Sequence, residues 1–172
     1  MNSLQIAEEF EEELIRMRRT LHAHPELSWE EYHTQKTIIE ILSREGIECI
    51  TPYKTAVIAF VSGEKKDAVS SDKKAGKKKI LGIRADIDAL PIQEKNVCSF
   101  TSEQDGVMHA CGHDAHTAIL LATAILAHRH RAEFSLDFHF LFQPAEEYIA
   151  DSGSGYLKDL PAVKDCDRLI GL

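Results

Sequence analysis

HDAHTAILLATAILAHRHRAEFSLDFHFLFQPAEE, residues 113–147, changes its hydrophobic period part-way along, and that change sets the fold class. Residues 113–130 carry apolar side chains at helical spacing, whereas LDFHFLF, residues 136–142, is a short apolar and aromatic run of the kind that builds a strand. Upstream, KILGIRAD (79–86) predicts a buried strand ending in Asp86, with Asp88 just beyond it. Strand, helix and strand in that order predict an α/β fold with a largely parallel sheet. DRLIGL (167–172) predicts one more buried strand.

The N-terminal half adds helices and a hairpin. Phe10, Leu14, Met17 and Leu21 fall at helical spacing, with Ser3 as a candidate N-cap, glutamates early, Arg18 and Arg19 late, and Pro25 beyond. A second helical pattern runs from about Glu30 to Arg44 and stops at Gly46. IECITPY (47–53) and TAVIAFVSG (55–63) predict strands. The lysine-rich stretch from Glu64 to Lys79 has no periodic apolar residue and is expected to be a solvated loop rather than an anion-binding patch.

At 172 residues and 44% hydrophobic, the chain can bury one core. Its 20 Lys+Arg against 28 Asp+Glu give a formal charge of −8, which recommends neither nucleic acid nor an anionic membrane as partner. The longest apolar stretch, Ala118 to Ala127, is far shorter than the roughly 20 residues of a bilayer span. MNSLQIAEEFEEE is acidic and has no basic-then-apolar leader, so a cytoplasmic protein is expected. Cys49, Cys98, Cys111 and Cys166 are scattered, which suits free thiols or ligands better than disulfides.

In α/β sheets ligands gather beyond the carboxyl ends of strands. Three segments deliver metal-binding side chains there: Asp86 and Asp88 after one strand, Glu146 and Glu147 after another, and MHACGHDAHT (108–117) before a helix. If that loop is extended, Cys111 and His113 at i and i+2 address one point. Thiolate, imidazole and carboxylate are ordinary ligands of a divalent transition ion. Adjacent carboxylates permit a division of labour, one holding metal and the other taking a proton from water, which is the logic of a hydrolase. Asp114, in the first turn of the helix, is favoured by the helix dipole. Cys111 is a poor candidate for a protease nucleophile, because its histidine would be two residues away, and for a redox thiol, because no cysteine lies at C-x-x-C spacing.

RRTLHAHPELSWEE, GIRADIDALPIQE, GVMHACGHDAHTA and FLFQPAEE together resemble the dinuclear-metal amidohydrolases that include hippurate hydrolase, N-acyl-L-amino-acid amidohydrolase and N-acetyldiaminopimelate deacetylase. The resemblance implies a three-layer α/β/α, zinc-exopeptidase-like catalytic domain that cleaves the amide bond of small N-acyl amino acids. It implies two divalent ions, manganese or zinc, with cobalt or nickel allowed, and intact members that can dimerise. By the same resemblance Cys111 lies between the ions, His113 ligates one and Glu147 the other, Glu146 is the general base, and Asp86 supports the site from behind the ligands. His109 and His116 are expected to be structural or supporting residues, and Asp114 to stand outside the ligand set.

Members of that family are about twice as long. Residues 1–172 are therefore expected to be the N-terminal portion of the catalytic domain, without the lid or dimerisation domain and without the C-terminal part, and weakly active or inactive alone. The metal-binding histidines expected further along have no counterpart here, and His139, predicted within a strand, is a poor substitute. The alternative is a truncated, non-catalytic metal-binding or partner-binding relic.

Overall fold

The structure, a computed structural model, describes residue 8, residues 10–65 and residues 78–172; the Ser3 cap and most of the lysine-rich stretch lie outside the described residues. Helix α1 spans Glu11–Ala23, has glutamates in its first turn and buries Met17, Leu21 and His22. It ends at His24, because Pro25 cannot continue it. Helix α2, Tyr32–Arg44, ends two residues before Gly46, which at φ +73° sits in the left-handed region that glycine enters without penalty. Strands β1 (Glu48–Ile50) and β2 (Val57–Ser62) form an antiparallel hairpin.

β3 (Ile80–Asp86), α3 (His113–Arg129) and β4 (Asp137–Gln143) form the central β-α-β unit, with β3 and β4 parallel. Short helices α4 (Gly153–Leu157) and α5 (Pro161–Lys164) lead to β5, Arg168–Gly171. The strand order is β1-β2-β4-β3-β5. β5, β3 and β4 run parallel, while β2 is antiparallel to both β1 and β4, so the sheet is mixed. The β1–β2 pair is antiparallel because its connection is far too short for a parallel crossover.

α3 is apolar nearly all round and is buried accordingly. It lies on the sheet against β2, β3 and β4, with α1 packed outside it and α2 at the hairpin end. Leu120, Leu121 and Ile125 of α3 and Phe140 and Phe142 of β4 are fully buried in this core. Each such side chain contributes about 1.5–3 kcal/mol. On the other face, the His139 imidazole bonds to the carbonyl of Ala162 in α5.

β5 is a strand as expected, but it is not buried. It hydrogen-bonds to β3 along one side, and Leu169 and Ile170 are 53% and 51% exposed. Its apolar composition marks a surface suited to burial, but among the described residues no element covers it.

Candidate metal centre

The parallel register pairs Asp86 with Gln143, so β3 and β4 end side by side and release Asp88 and the Glu146–Glu147 pair at the same edge. α3 begins at that edge with His113 as its first residue. The loop before it is not extended. Gly112 has φ +96°, a left-handed conformation that a side chain would strain, and the chain bends there into α3. Cys111 and His113 therefore converge through a turn rather than through strand alternation.

One ligand atom each from Cys111, His113 and Glu147 lie within 4.8 Å of one another. The orientation of His113 is fixed from behind: its Nδ1 lies 2.9 Å from the Asp88 carbonyl oxygen and 3.3 Å from Asp88 Oδ1. Both neighbours are acceptors, so Nδ1 carries the proton and Nε2 presents its lone pair to the cluster, the usual arrangement of a ligating histidine. Around Nε2 stand Asp86 Oδ2 at 3.5 Å, Glu147 Oε1 at 3.8 Å and Glu146 Oε2 at 3.9 Å. Burial alone would lower the pKa of His113, but the Asp88 bond and the carboxylates of Asp86, Asp88 and Glu147 outweigh it and raise the pKa.

The thiol of Cys111 is pushed up by partial burial and then by the carboxylates of Glu147, Asp86 and Glu146. A cation among these groups reverses that logic and favours the thiolate. Glu147 Oε1 is buried and has no hydrogen-bond partner among the described residues. Thiol, open imidazole nitrogen and orphaned carboxylate oxygen fit a divalent transition ion, because each lacks what an ion would supply.

Asp86, His113 and His116 also bring ligand atoms within 4.8 Å of one another. In that group, however, Asp86 is already engaged, with His116 Nδ1 at 2.7 Å and Arg84 Nη1 at 2.8 Å. The Cys111–His113–Glu147 set is the one with unmet valence. His109 stays outside it; burial holds its pKa down to about 4, and its ring lies beside that of His22, centroids 6.5 Å apart. Asp114 points away as well, to Arg18 Nε at 2.7 Å and His22 Nδ1 at 2.8 Å, tying α3 to α1.

Sequence reasoning brought Asp88 to this edge but gave it no role in the site. Besides holding His113, it accepts the Ser28 hydroxyl at 2.7 Å and the Glu147 amide N–H at 3.0 Å. Burial would raise its pKa, but the bonds from His113, Ser28 and the backbone amides of Glu147 and Glu146 bring it below the ordinary carboxylate value. A second acid two residues after Asp86 was the available signal; its partners lie too far along the chain for a local pattern to show.

A family model described as Peptidase family M20/M25/M40 matches residues 82–172, which include every residue of the cluster. The chain belongs to this family. It is 48% identical over 143 residues to an N-acetylcysteine deacetylase of Bacillus subtilis (strain 168), covering 82% of this chain and 35% of that protein. It is 43% identical over 168 residues to an N-acyl-L-amino acid amidohydrolase of Geobacillus stearothermophilus, covering 97% of this chain and 42% of the relative. A solved Bacillus subtilis structure, described as a dinuclear metal binding peptidase from the M20 family, superposes with a TM-score of 0.80 at 42% identity over 95% of this chain and 43% of that one. The chain thus spans less than half the length of these relatives. Its mixed sheet with helices is the α/β architecture that they share.

Proposed function

We propose that this M20/M25/M40 chain carries the first part of a two-metal centre that hydrolyses the amide bond of N-acyl amino acids. In this reading residues 1–172 are the N-terminal portion of the catalytic domain. Its lid or dimerisation domain and its C-terminal part correspond to the length of the relatives that the chain does not span. The carrying observation is the convergence of Cys111, His113 and Glu147 within 4.8 Å, with His113 turned by Asp88 so that Nε2 is free. The names of the amidohydrolase and deacetylase relatives support the substrate class.

Cys111, His113 and Glu147 would hold metal, with zinc or manganese best suited and cobalt or nickel allowed. Bound divalent ions supply Lewis-acid polarisation of water and of the acyl carbonyl. Glu146 is the base. It stands 3.9 Å from His113 Nε2, at the rim of the cluster, and its side chain is 43% exposed, so it can meet substrate and water. It takes a proton from the attacking water and returns it to the departing amine, leaving a carboxylic acid and a free amino acid. Asp86, engaged by Arg84 and His116, is no ligand in this reading and lends negative charge beside His113 Nε2. Four unpaired cysteines support a reducing compartment, the cytoplasm, as the place of work. Among the described residues no helix is long and apolar enough to cross a membrane.

However slow the basal turnover of N-acetyl amino acids by the metal-loaded protein, Glu146→Gln should lower it by about 10²–10⁴-fold with metal content unchanged. Loss of metal instead would exchange the roles of Glu146 and Glu147. A wild-type protein that takes up no divalent metal would sink the proposal.

A further inference from the structure

Glu31 stands at the start of α2 with no exposed surface. Its Oε1 accepts the amide N–H of Ala145 at 2.8 Å, and its Oε2 accepts the hydroxyl of Thr55 at 2.6 Å. Ala145 and Thr55 are themselves fully buried, so without Glu31 both donors would be left unsatisfied in the core.

Among the described residues only three non-glycine residues have positive φ: Trp29 at +68°, Lys54 at +44° and Ala145 at +51°. All three adjoin this one carboxylate. Ala145 bonds to it directly, Lys54 precedes its partner Thr55, and the backbone of Trp29, like that of Ala145, is among the groups that stabilise its charged form. Left-handed backbone strains a residue with a Cβ and persists only where the surroundings over-determine it. The strain is concentrated around Glu31, and one of the three residues immediately precedes the Glu146–Glu147 pair.

At Ala145 both backbone groups are engaged: the N–H with Glu31 and the carbonyl with the Gly153 amide at 3.3 Å. Two residues on, the Glu147 amide is held by Asp88. The turn that takes the chain off β4 is thus clamped from two sides. With an ordinary extended φ at 145 the chain would continue in the direction of β4 and carry the pair away from His113.

We infer that Glu31 is a positioning residue for the carboxylate pair, holding Ala145 in the left-handed turn that aims Glu146 and Glu147 at the metal cluster. The inference rests on the reading of Glu147 as a ligand and Glu146 as the base. Geometry rather than charge does the work. The amide oxygen of glutamine can accept the Ala145 N–H while its NH₂ donates to Thr55 Oγ1, so Glu31→Gln keeps both links. Aspartate keeps the charge but is one methylene too short to span Ala145 and Thr55 together.

The test uses cobalt(II) as probe, read by its affinity and by the thiolate-to-cobalt charge-transfer absorption that reports Cys111 in the shell, on wild type, Glu31→Gln, Glu31→Asp and Glu31→Ala. Wild type and Glu31→Gln should bind with closely similar affinity and spectrum. Glu31→Asp and Glu31→Ala should each bind about 10–100-fold more weakly, the size of effect expected of a group that orients a ligand. With turnover as a second readout, kcat should fall in the same order and KM should move less. If Glu31→Ala does not fold, the order of glutamine above aspartate still decides the matter. Aspartate above glutamine, or Asp and Ala variants equal to wild type, would overturn the inference alone. A wild-type protein without the absorption band would overturn the site, and the inference with it.

Discussion

Two buried histidines lie among carboxylates in this molecule. His22 is 3% exposed and His113 is 2% exposed. Both ring nitrogens of His22 are committed to protein oxygens, Nδ1 to Asp114 at 2.8 Å and Nε2 to Glu94 at 3.2 Å, and Arg18 closes the same network on Asp114. His113 has one committed nitrogen, held by Asp88, and one facing the carboxylates of Asp86, Glu147 and Glu146 at 3.5, 3.8 and 3.9 Å beside the Cys111 thiol. Burial and acidic neighbours therefore do not by themselves mark a ligand. What separates the two histidines is a nitrogen oriented by the protein and left open.

The largest expected effect breaks that comparison in two directions. Removing one partner of a buried charged network costs about 3–5 kcal/mol, so His22→Ala should lower thermal and urea stability by that order while its cobalt(II) affinity stays close to wild type. His113→Ala should show the converse, near-complete loss of cobalt(II) binding. Calorimetric melting and metal titration on the same preparations read both. A His22→Ala protein that loses metal as His113→Ala does would show that the two networks are one functional unit.

A smaller effect is expected one bond further from the cluster. Asp88→Asn removes the charge that orients His113 and one of the acceptors shared by Ser28 and the Glu147 amide, and should weaken metal binding by about 10–100-fold. The equivalent change in the closed network, Asp114→Asn, should lower stability and leave metal affinity alone. Equal metal affinity in Asp88→Asn and wild type would show that the Asp88 carbonyl suffices to hold the ring.

The contrast also explains what could be read in advance. The β-α-β unit, the stop at Gly46 and the meeting of three acidic or sulfur-bearing segments depend on period, punctuation and strand direction, which are local. The orienting groups are not local: Asp88 meets the Glu147 amide across 59 positions, and Glu31 meets the Ala145 amide across 114. No periodicity carries that information, so Asp88 was seen as an acid without a task and PELSWEE as a matching stretch without a mechanism. The bend at Gly112 escaped for a related reason, since i and i+2 converge in a strand and converge here through a left-handed glycine. β5 shows the limit from the other side: its residues predict a strand, but burial is decided by what covers it.

The smallest predicted effect extends the comparison to buried acids. Asp114 has Arg18 and His22 beside it, whereas the carboxylate of Glu31 is held by the Thr55 hydroxyl and backbone amides, all neutral donors. Burial consequently raises the Glu31 pKa above its ordinary 4.5, and the bonds from Thr55 and the backbone offset only part of the rise. The folded state then holds this proton more tightly than the unfolded chain does. Its contribution to stability is complete below the ordinary carboxylate value and is lost as pH rises through the raised one. Glu31→Gln has no proton to lose, so its stability relative to wild type should improve steadily from acidic to neutral pH while cobalt(II) affinity stays level. Paired urea denaturation curves across that range measure the difference directly. A difference that does not vary with pH would mean that the neutral donors around Glu31 compensate its burial in full.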